Sequence, residues 1–95
     1  MITREIAKMC VGPGWGGLLD RLYDAIPPNA IVVQVKEKFG GLRFYVDAAP
    51  GWFFDLIHEA EDLSMKTCEE CGEPGYPAGG WIKTLCEKHH EERNR

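Results

Sequence analysis

The hydrophobic residues of the first 26 positions recur at helical spacing, in two sets. The first set predicts a short amphipathic helix over residues 2–10, which the Gly-Pro-Gly sequence at 12–14 ends. The second set recurs at i, i+3, i+4 and i+7, and predicts a helix over residues 15–26, which Pro27 and Pro28 stop. The residues that carry the two patterns are Ile2, Ile6 and Met9, and then Trp15, Leu18, Leu19, Leu22 and Ile26.

The hydrophobic period shortens to two residues between positions 30 and 48. Such alternation is typical of a strand with one buried face, and the glycines at 40 and 41 supply the positive φ angle that a tight turn requires. The sequence therefore predicts a β-hairpin. Its buried face would hold Ile31, Val33, Val35, Leu42, Phe44 and Val46, and its polar face Gln34, Lys36, Arg43 and Tyr45.

Residues 51–65 return to helical spacing and predict a third helix, opened by Pro50 and Gly51. Its inner face would carry Phe53, Leu56, Ile57, Ala60 and Leu63. Its outer face carries three acids at i, i+4 and i+7, which are Asp55, Glu59 and Asp62. An acidic array can occupy a basic groove on a target by electrostatic complementarity. These three acids are therefore a candidate protein-binding surface.

Three cysteines and a histidine near the C-terminus have the spacing of a metal site. The pattern is C-x2-C-x14-C-x2-H, formed by Cys68, Cys71, Cys86 and His89. Clustered cysteines in a reducing compartment are more often metal ligands than disulfides. Three thiolates and an imidazole complete the tetrahedron that zinc prefers and leave no open position. The predicted cofactor is therefore a structural Zn²⁺ ion rather than a catalytic one.

Two alternatives at this site stay open. His90 could replace His89 as the fourth ligand, because residues at i and i+4 also share a helix face. Cys68 and Cys71 could instead form a redox-active disulfide, although the βαβ pattern expected for that chemistry is absent. The remaining cysteine, Cys10, lies at the end of the first helix and is predicted to be a small core residue.

The segment around these ligands is rich in Cys, Gly and Pro and has little periodicity. A knuckle at 68–71, a short hairpin over 73–84 and a helix beginning near residue 85 would form a treble-clef-like module, with Cys86 and His89 one turn apart. Trp81 is predicted to pack its ring over this hairpin and to join the tail to the main core. The predicted fold class is a small single α+β domain, with a helix and hairpin core over residues 1–66 and a zinc-binding tail over 67–95.

Length and composition match one globular domain, with 95 residues of which 44% are hydrophobic and 27% charged. No apolar run approaches the roughly 20 residues that span a bilayer, and the N-terminus leads into no apolar signal core. The sequence therefore predicts a cytoplasmic protein with no membrane partner. Residues 1–46 hold six basic and four acidic residues, whereas residues 47–95 hold five and eleven. Such a bipolar surface favours a defined partner over diffuse polyanion binding.

Two stretches of the chain are specific in their order and spacing. The first is KEKFGGLRFY at 36–45, followed by the acidic helical sequence at 60–64. The second is the tail, with CEECG at 68–72 and GWIKTLCEKH at 80–89. Together they resemble a group of uncharacterised small zinc proteins of bacteria and their phages. The resemblance implies a zinc-bearing domain of bacterial or phage origin and implies no activity.

Two functions follow as hypotheses. The first is a protein-interaction module, such as a phage factor that binds and modulates or inhibits a host protein or defence complex. The second is nucleic-acid binding through the tail and a basic hairpin patch formed by Lys36, Lys38 and Arg43. An enzyme is not expected, because the tail hairpin at 73–84 contains no histidine, aspartate or asparagine for a nuclease-type site.

Overall fold

Two short helices and a 3-10 turn form the N-terminal part of the chain. In the computed structural model, which describes all 95 residues, helix α1 spans Arg4–Cys10 and helix α2 spans Gly16–Ala25. The 3-10 turn Pro13–Trp15 lies between them. The side chain of Thr3 caps α1 by accepting a hydrogen bond from the N–H of Ile6, a role that threonine fills well at helix starts. Both predicted helices are thus present, slightly shorter than the patterns indicated.

The predicted buried face of α1 is wrong at Ile6 and Met9, although Ile2, just before the helix, does pack against the core. Ala7 is its only buried residue, while Ile6 is 50% exposed and Met9 is 84% exposed. Cys10 is also exposed, and its thiol donates to the carbonyl of Ile6 at 3.3 Å, so it is not the core residue that its position suggested.

Ion pairs with α2 accompany this orientation of α1. The Arg4 guanidinium lies 2.7 Å from the Asp24 carboxylate, and the Lys8 ammonium lies 2.8 Å from that of Asp20. Arg4 and Lys8 are one turn apart and share a helix face. With that face turned toward α2, the small side chain of Ala7 allows close contact with the core, and the Ile6 and Met9 side chains turn to solvent.

The predicted β-hairpin is present. Strand β1 spans Ile31–Lys38 and pairs antiparallel with β2, which spans Gly41–Asp47. Phe39 and Gly40 form a two-residue turn in which both φ angles are positive, at 54° and 83°. Positive φ at both central positions is the feature of a type I′ turn, whose twist matches that of the flanking strands. Glycine supplies only the second of these positions, so Phe39 accepts a conformation that is uncommon for a bulky residue.

A β-bulge at Val33 changes which residues of β1 face the core. The register shifts between Val32 and Gln34, and Val32 and Val35 are therefore buried on the same face although they are three residues apart. Ile31 and Val33, predicted to be buried, are 46% and 48% exposed. In β2, which has no extra residue, the predicted positions are all buried: Leu42, Phe44 and Val46.

Helix α3 spans Gly51–Ser64 and packs on β2 and on α2. Phe53, Ile57 and Ala60 are buried on its inner face, as the spacing predicted. The core cluster has fourteen buried residues, and every one lies between Ala7 and Ala60. The hydrophobic core therefore belongs to the first two thirds of the chain.

The tail is a second, smaller unit of structure packed on this core. Strand β3, Tyr76–Ala78, pairs antiparallel with β4, Lys83–Leu85, and helix α4 spans Glu87–Arg93. The chain is thus a small α+β fold with four α-helices, two antiparallel hairpins and a cysteine and histidine cluster in the tail, which confirms the predicted fold class. None of its helices has the length and apolar composition needed to cross a membrane.

Candidate metal centre

Four potential ligand atoms meet in the tail. They are the sulfurs of three cysteines and a ring nitrogen of one histidine, all within 4.8 Å of one another: Cys68, Cys71, Cys86 and His89. The Sγ atoms of Cys71 and Cys86 are 3.8 Å apart. The Nδ1 atom of His89 lies 3.4 Å from the Cys68 sulfur and 3.2 Å from the Cys86 sulfur. All four residues predicted as ligands are therefore brought together.

These distances fit a tetrahedral metal ion. With zinc bonds of about 2.3 Å to sulfur and about 2.0–2.1 Å to nitrogen, a tetrahedron has S–S edges of about 3.8 Å and S–N edges of about 3.6 Å. Three of the six separations, 3.8, 3.4 and 3.2 Å, lie close to these edges, and the other three are no longer than 4.8 Å. All four cysteines of the chain are free thiols, so the alternative disulfide between Cys68 and Cys71 is not formed.

Each ligand is held by local structure that follows from its neighbours in the chain. Cys68 and Cys71 lie on one tight turn, closed by a hydrogen bond of 2.9 Å from the N–H of Gly72 to the carbonyl of Cys68. Gly72 has a φ of 84°, which only glycine adopts freely. Cys86 is the N-cap of α4, and His89 lies in the first turn of that helix. The turn and the start of α4 thus place their four ligands around a single point.

The backbone around the cluster favours ionised sulfur. Burial alone would raise the pKa of the Cys68 thiol. Hydrogen bonds from the backbone N–H groups of Cys86, Cys71 and Glu70 lower the pKa by more than burial raises it, to about 6. At Cys71, a backbone hydrogen bond at Glu73 lowers the thiol pKa, but burial and the neighbouring sulfurs raise it more. Anionic sulfurs this close repel one another, and a cation among them removes that repulsion. The donor set therefore suits a bound divalent metal.

His89 and His90 have different surroundings. The Nε2 atom of His90 lies 2.7 Å from the carbonyl oxygen of Tyr76, and the two rings are in contact with centroids 4.5 Å apart. His90 is buried and joins α4 to β3, whereas the His89 ring faces the three sulfurs. On the other side of its ring, His89 Nε2 lies 3.9 Å from a carboxylate oxygen of Glu92.

A glycine loop and a buried glutamate support the knuckle, and neither support was predicted from the sequence. Glu69 lies between the first two cysteines, and its carboxylate accepts from the N–H of Gly12 at 3.0 Å and contacts the Lys83 ammonium at 3.3 Å. The Glu69 carbonyl accepts from the N–H of Gly14 at 2.7 Å. No local signal connects positions 57 residues apart, and the glycine loop showed only that a helix ends there.

Trp15 makes a further contact between core and tail. Its ring is fully buried, and its Nε1–H donates to the carbonyl of Thr67 at 2.9 Å, one residue before the first metal ligand. The position of the knuckle is therefore set by the N-terminal core as well as by its own turn.

The predicted partner-binding acids lie on the exposed side of α3. Asp55 and Asp62 are exposed and form no ion pair. Glu59 forms an ion pair of 3.0 Å with Arg21 of α2. The acidic face therefore has two free charges rather than the expected three.

The predicted basic residues lie together on the hairpin. Lys36 is directly opposite Arg43 in the strand register, and Lys38 precedes the turn on the same strand. The Lys36 ammonium lies 5.9 Å from the Tyr45 ring centroid, and that of Lys38 lies 5.6 Å from the Phe39 ring centroid. The outer face of this hairpin is thus both basic and aromatic.

The predicted packing of Trp81 is wrong. Its side chain is 77% exposed and belongs to the turn between β3 and β4 rather than to the core. The Arg93 guanidinium of α4 donates to the carbonyl of Trp81 and, at 3.4 Å, to that of Ala78. Because the turn is attached to α4 through its backbone carbonyls, the indole ring is left to point outward.

Comparison with family models, with curated proteins and with solved structures finds no match for the chain. The resemblance to small bacterial and phage zinc proteins therefore stays a prediction, and the residues of the metal centre carry the functional argument.

Proposed function

We propose that this chain is a non-catalytic binding module stabilised by one structural zinc ion. The observation that carries the proposal is the cluster of three sulfurs and one imidazole nitrogen within 4.8 Å of one another. Thiolate and imidazole donors suit zinc, and four protein ligands complete its tetrahedron. No coordination position is left for a water or a substrate, so the ion would organise the fold.

The arrangement of the tail supports this role. A knuckle carries Cys68 and Cys71, a short hairpin follows, and a helix start carries Cys86 and His89. This order is consistent with the treble-clef-like module that we propose, in which one metal ion takes the place of a hydrophobic core. The core cluster ends at Ala60, so the tail contributes none of its residues.

The folding free energy that a structural zinc ion contributes is large relative to the net stability of a domain of this size. Apparent folding contributions of about 10–16 kcal/mol are typical of structural zinc in finger peptides. A whole domain of this size has a net stability of only about 5–15 kcal/mol. Zinc would therefore decide whether the tail is folded, and with it the surface that the tail and hairpin present to a partner.

A protein partner held by the acidic face of α3 is the mode that the sequence favoured. Asp55 and Asp62 are exposed and unpaired, so they remain free to contact a basic protein surface, such as that of a host or bacterial partner. The ion pair between Glu59 and Arg21 weakens that case, since one of the three acids is already neutralised within the chain.

Metal content tests the zinc proposal directly. We expect purified protein to hold one zinc per chain by inductively coupled plasma mass spectrometry. Cys71→Ser should lose most of it, because a hydroxyl is a poor zinc ligand at neutral pH. Cys10→Ser is the matched control, since Cys10 is also exposed but lies outside the cluster. A metal-free wild type, or equal zinc in both variants, would show the proposal to be wrong.

A further inference from the structure

An open cleft lies between the tips of the two hairpins, away from the metal ligands. Its volume is about 320 Å³, and its walls are Glu37, Lys38, Phe39, Gly80, Trp81 and Ile82. Phe39, at the tip of the first hairpin, is 67% exposed, and Trp81, in the turn of the second, is 77% exposed. We call this feature the tip cleft. Two large, mostly exposed aromatic side chains at one cleft form an apolar patch that marks an interaction surface, although the Lys38 ammonium already lies 5.6 Å from the Phe39 ring centroid.

Three cations of the first hairpin have no acidic partner, and one of them, Lys38, lines the tip cleft. Lys36, Lys38 and Arg43 form no ion pair, so every cation of the first hairpin is unpaired. Lys66, Lys88, Arg93 and Arg95 are also unpaired, but they lie outside this hairpin. Lys36 and Arg43 also face each other across the strands, and like charges directly opposite destabilise a sheet. We call these three residues the cationic face. An anionic partner would remove the repulsion that this face carries.

The one acid of the tip cleft does not cancel this charge. Glu37 accepts a hydrogen bond of 2.8 Å from the N–H of Gly40 and lies 3.8 Å from the Lys83 ammonium. Its side chain is only 18% exposed. The free charge offered to a ligand at this surface is therefore positive, although the chain as a whole has a net charge of −4.

We propose that the tip cleft and the cationic face bind single-stranded nucleic acid, with bases stacked on Phe39 and Trp81 and phosphates held by Lys36, Lys38 and Arg43. Stacking on aromatic rings beside a basic track is how sequence-tolerant single-strand binders work. Bases within a duplex are already stacked and do not offer their faces to such rings. An acidic protein segment would use the cations but would leave both aromatic rings without a matching partner.

This inference rests on the proposed zinc module, because the metal-bearing elements hold the second wall of the cleft. Arg93 of α4 holds the carbonyl of Trp81, and α4 also carries His89. The buried hydroxyl of Thr84 donates to the carbonyl of Gly40 at 2.6 Å and joins the two hairpin tips. Without the metal, we expect Phe39 and Trp81 to lose their fixed relation.

Fluorescence anisotropy with labelled 12-nucleotide oligo(dT) and oligo(U) tests the inference on the zinc-loaded full chain. We expect binding at micromolar protein in 50 mM salt. Three phosphate contacts give a log–log salt slope of about −2, or a loss of roughly 20-fold between 50 and 200 mM. Trp81→Ala should weaken binding by about fivefold to 150-fold, the range for one stacked base. Lys38→Gln should reduce the slope by about 0.7.

Two variants outside this surface serve as controls. Trp52→Ala removes another exposed tryptophan, which lies on α3, and Lys88→Gln removes an exposed lysine of α4. Both should bind like wild type. The inference is wrong if zinc-loaded, folded protein binds neither oligomer, if Trp81→Ala binds as well as Trp52→Ala, or if duplex DNA or a poly-glutamate peptide binds as tightly as the single strands. Zinc content and melting are measured on the same samples, so loss of the metal centre is recognised separately from loss of this binding surface.

Discussion

At the scale of single residues, Gly14 shows how closely the metal knuckle approaches the N-terminal core. A Cβ atom at this position would lie 2.0 Å from the carbonyl oxygen of Cys68 and 2.5 Å from the nitrogen of Gly72. Both contacts are with backbone that cannot move without displacing a ligand. The absence of a side chain, rather than backbone freedom, is therefore what the fold requires at Gly14.

Gly14→Ala should destabilise the zinc-loaded protein by at least about 1–3 kcal/mol, the usual cost of overpacking, and should weaken zinc binding. Urea unfolding and competition with a coloured zinc chelator measure the two effects. Gly17→Ala is the matched control, because nothing lies within 4 Å of its Cβ position in α2, and alanine in a helix is favoured over glycine by about 1 kcal/mol. Equal stability of the two variants would contradict this account of the loop.

The ligands themselves could be predicted from the sequence, whereas their supports could not. Cys68 and Cys71 are near neighbours in the chain, as are Cys86 and His89, so each pair is a local pattern. Glu69 differs, because its role depends on a glycine loop that only the fold brings near. Local spacing therefore predicted the chemistry of the site but not its attachment to the core.

At the scale of elements, the buried faces of β2 and α3 could be predicted from local patterns, whereas those of β1 and α1 could not. β2 and α3 pack along their length on one surface, and their hydrophobic periods predicted their buried faces. In β1, the extra residue at Val33 shifts the pattern by one position. In α1, the apolar pattern is weak and covers only seven residues, and the helix buries Ala7 alone while Arg4 and Lys8 form exposed ion pairs with α2.

The contact between the two hairpins depends on one buried hydroxyl. Thr84 is fully buried, and its Oγ1 donates to the Gly40 carbonyl. Thr84→Val keeps the shape but leaves this carbonyl without a donor, which should cost about 1–3 kcal/mol. Thr84→Ser is the control, since it keeps the hydroxyl and loses only a methyl group, worth about 0.8 kcal/mol. Urea unfolding that shows the serine variant to be the less stable of the two would overturn this role for the hydroxyl.

At the scale of the whole molecule, the two parts of the chain are stabilised by different means. All fourteen residues of the core cluster lie between Ala7 and Ala60. The tail contributes only Cys68 and Leu85 to the buried apolar residues, and its other buried residues, Glu69, Thr84 and His90, are polar. Hydrophobic burial can therefore maintain the first part without metal, whereas the tail has only its ligands and its contacts with the core.

Zinc removal should consequently unfold the tail and spare much of the core. We expect chelation to abolish hydrogen-exchange protection at the N–H groups of Cys68 and Glu69, which donate to Glu73 and Thr84 within the tail at 2.7 and 2.9 Å. Protection in the paired strands around Val35 and Phe44 should fall much less, because these residues belong to the hydrophobic core. Added zinc should restore the tail. Unchanged protection throughout would show that the metal has no structural role. Equal loss of protection in both parts would show that the core cannot fold without its tail.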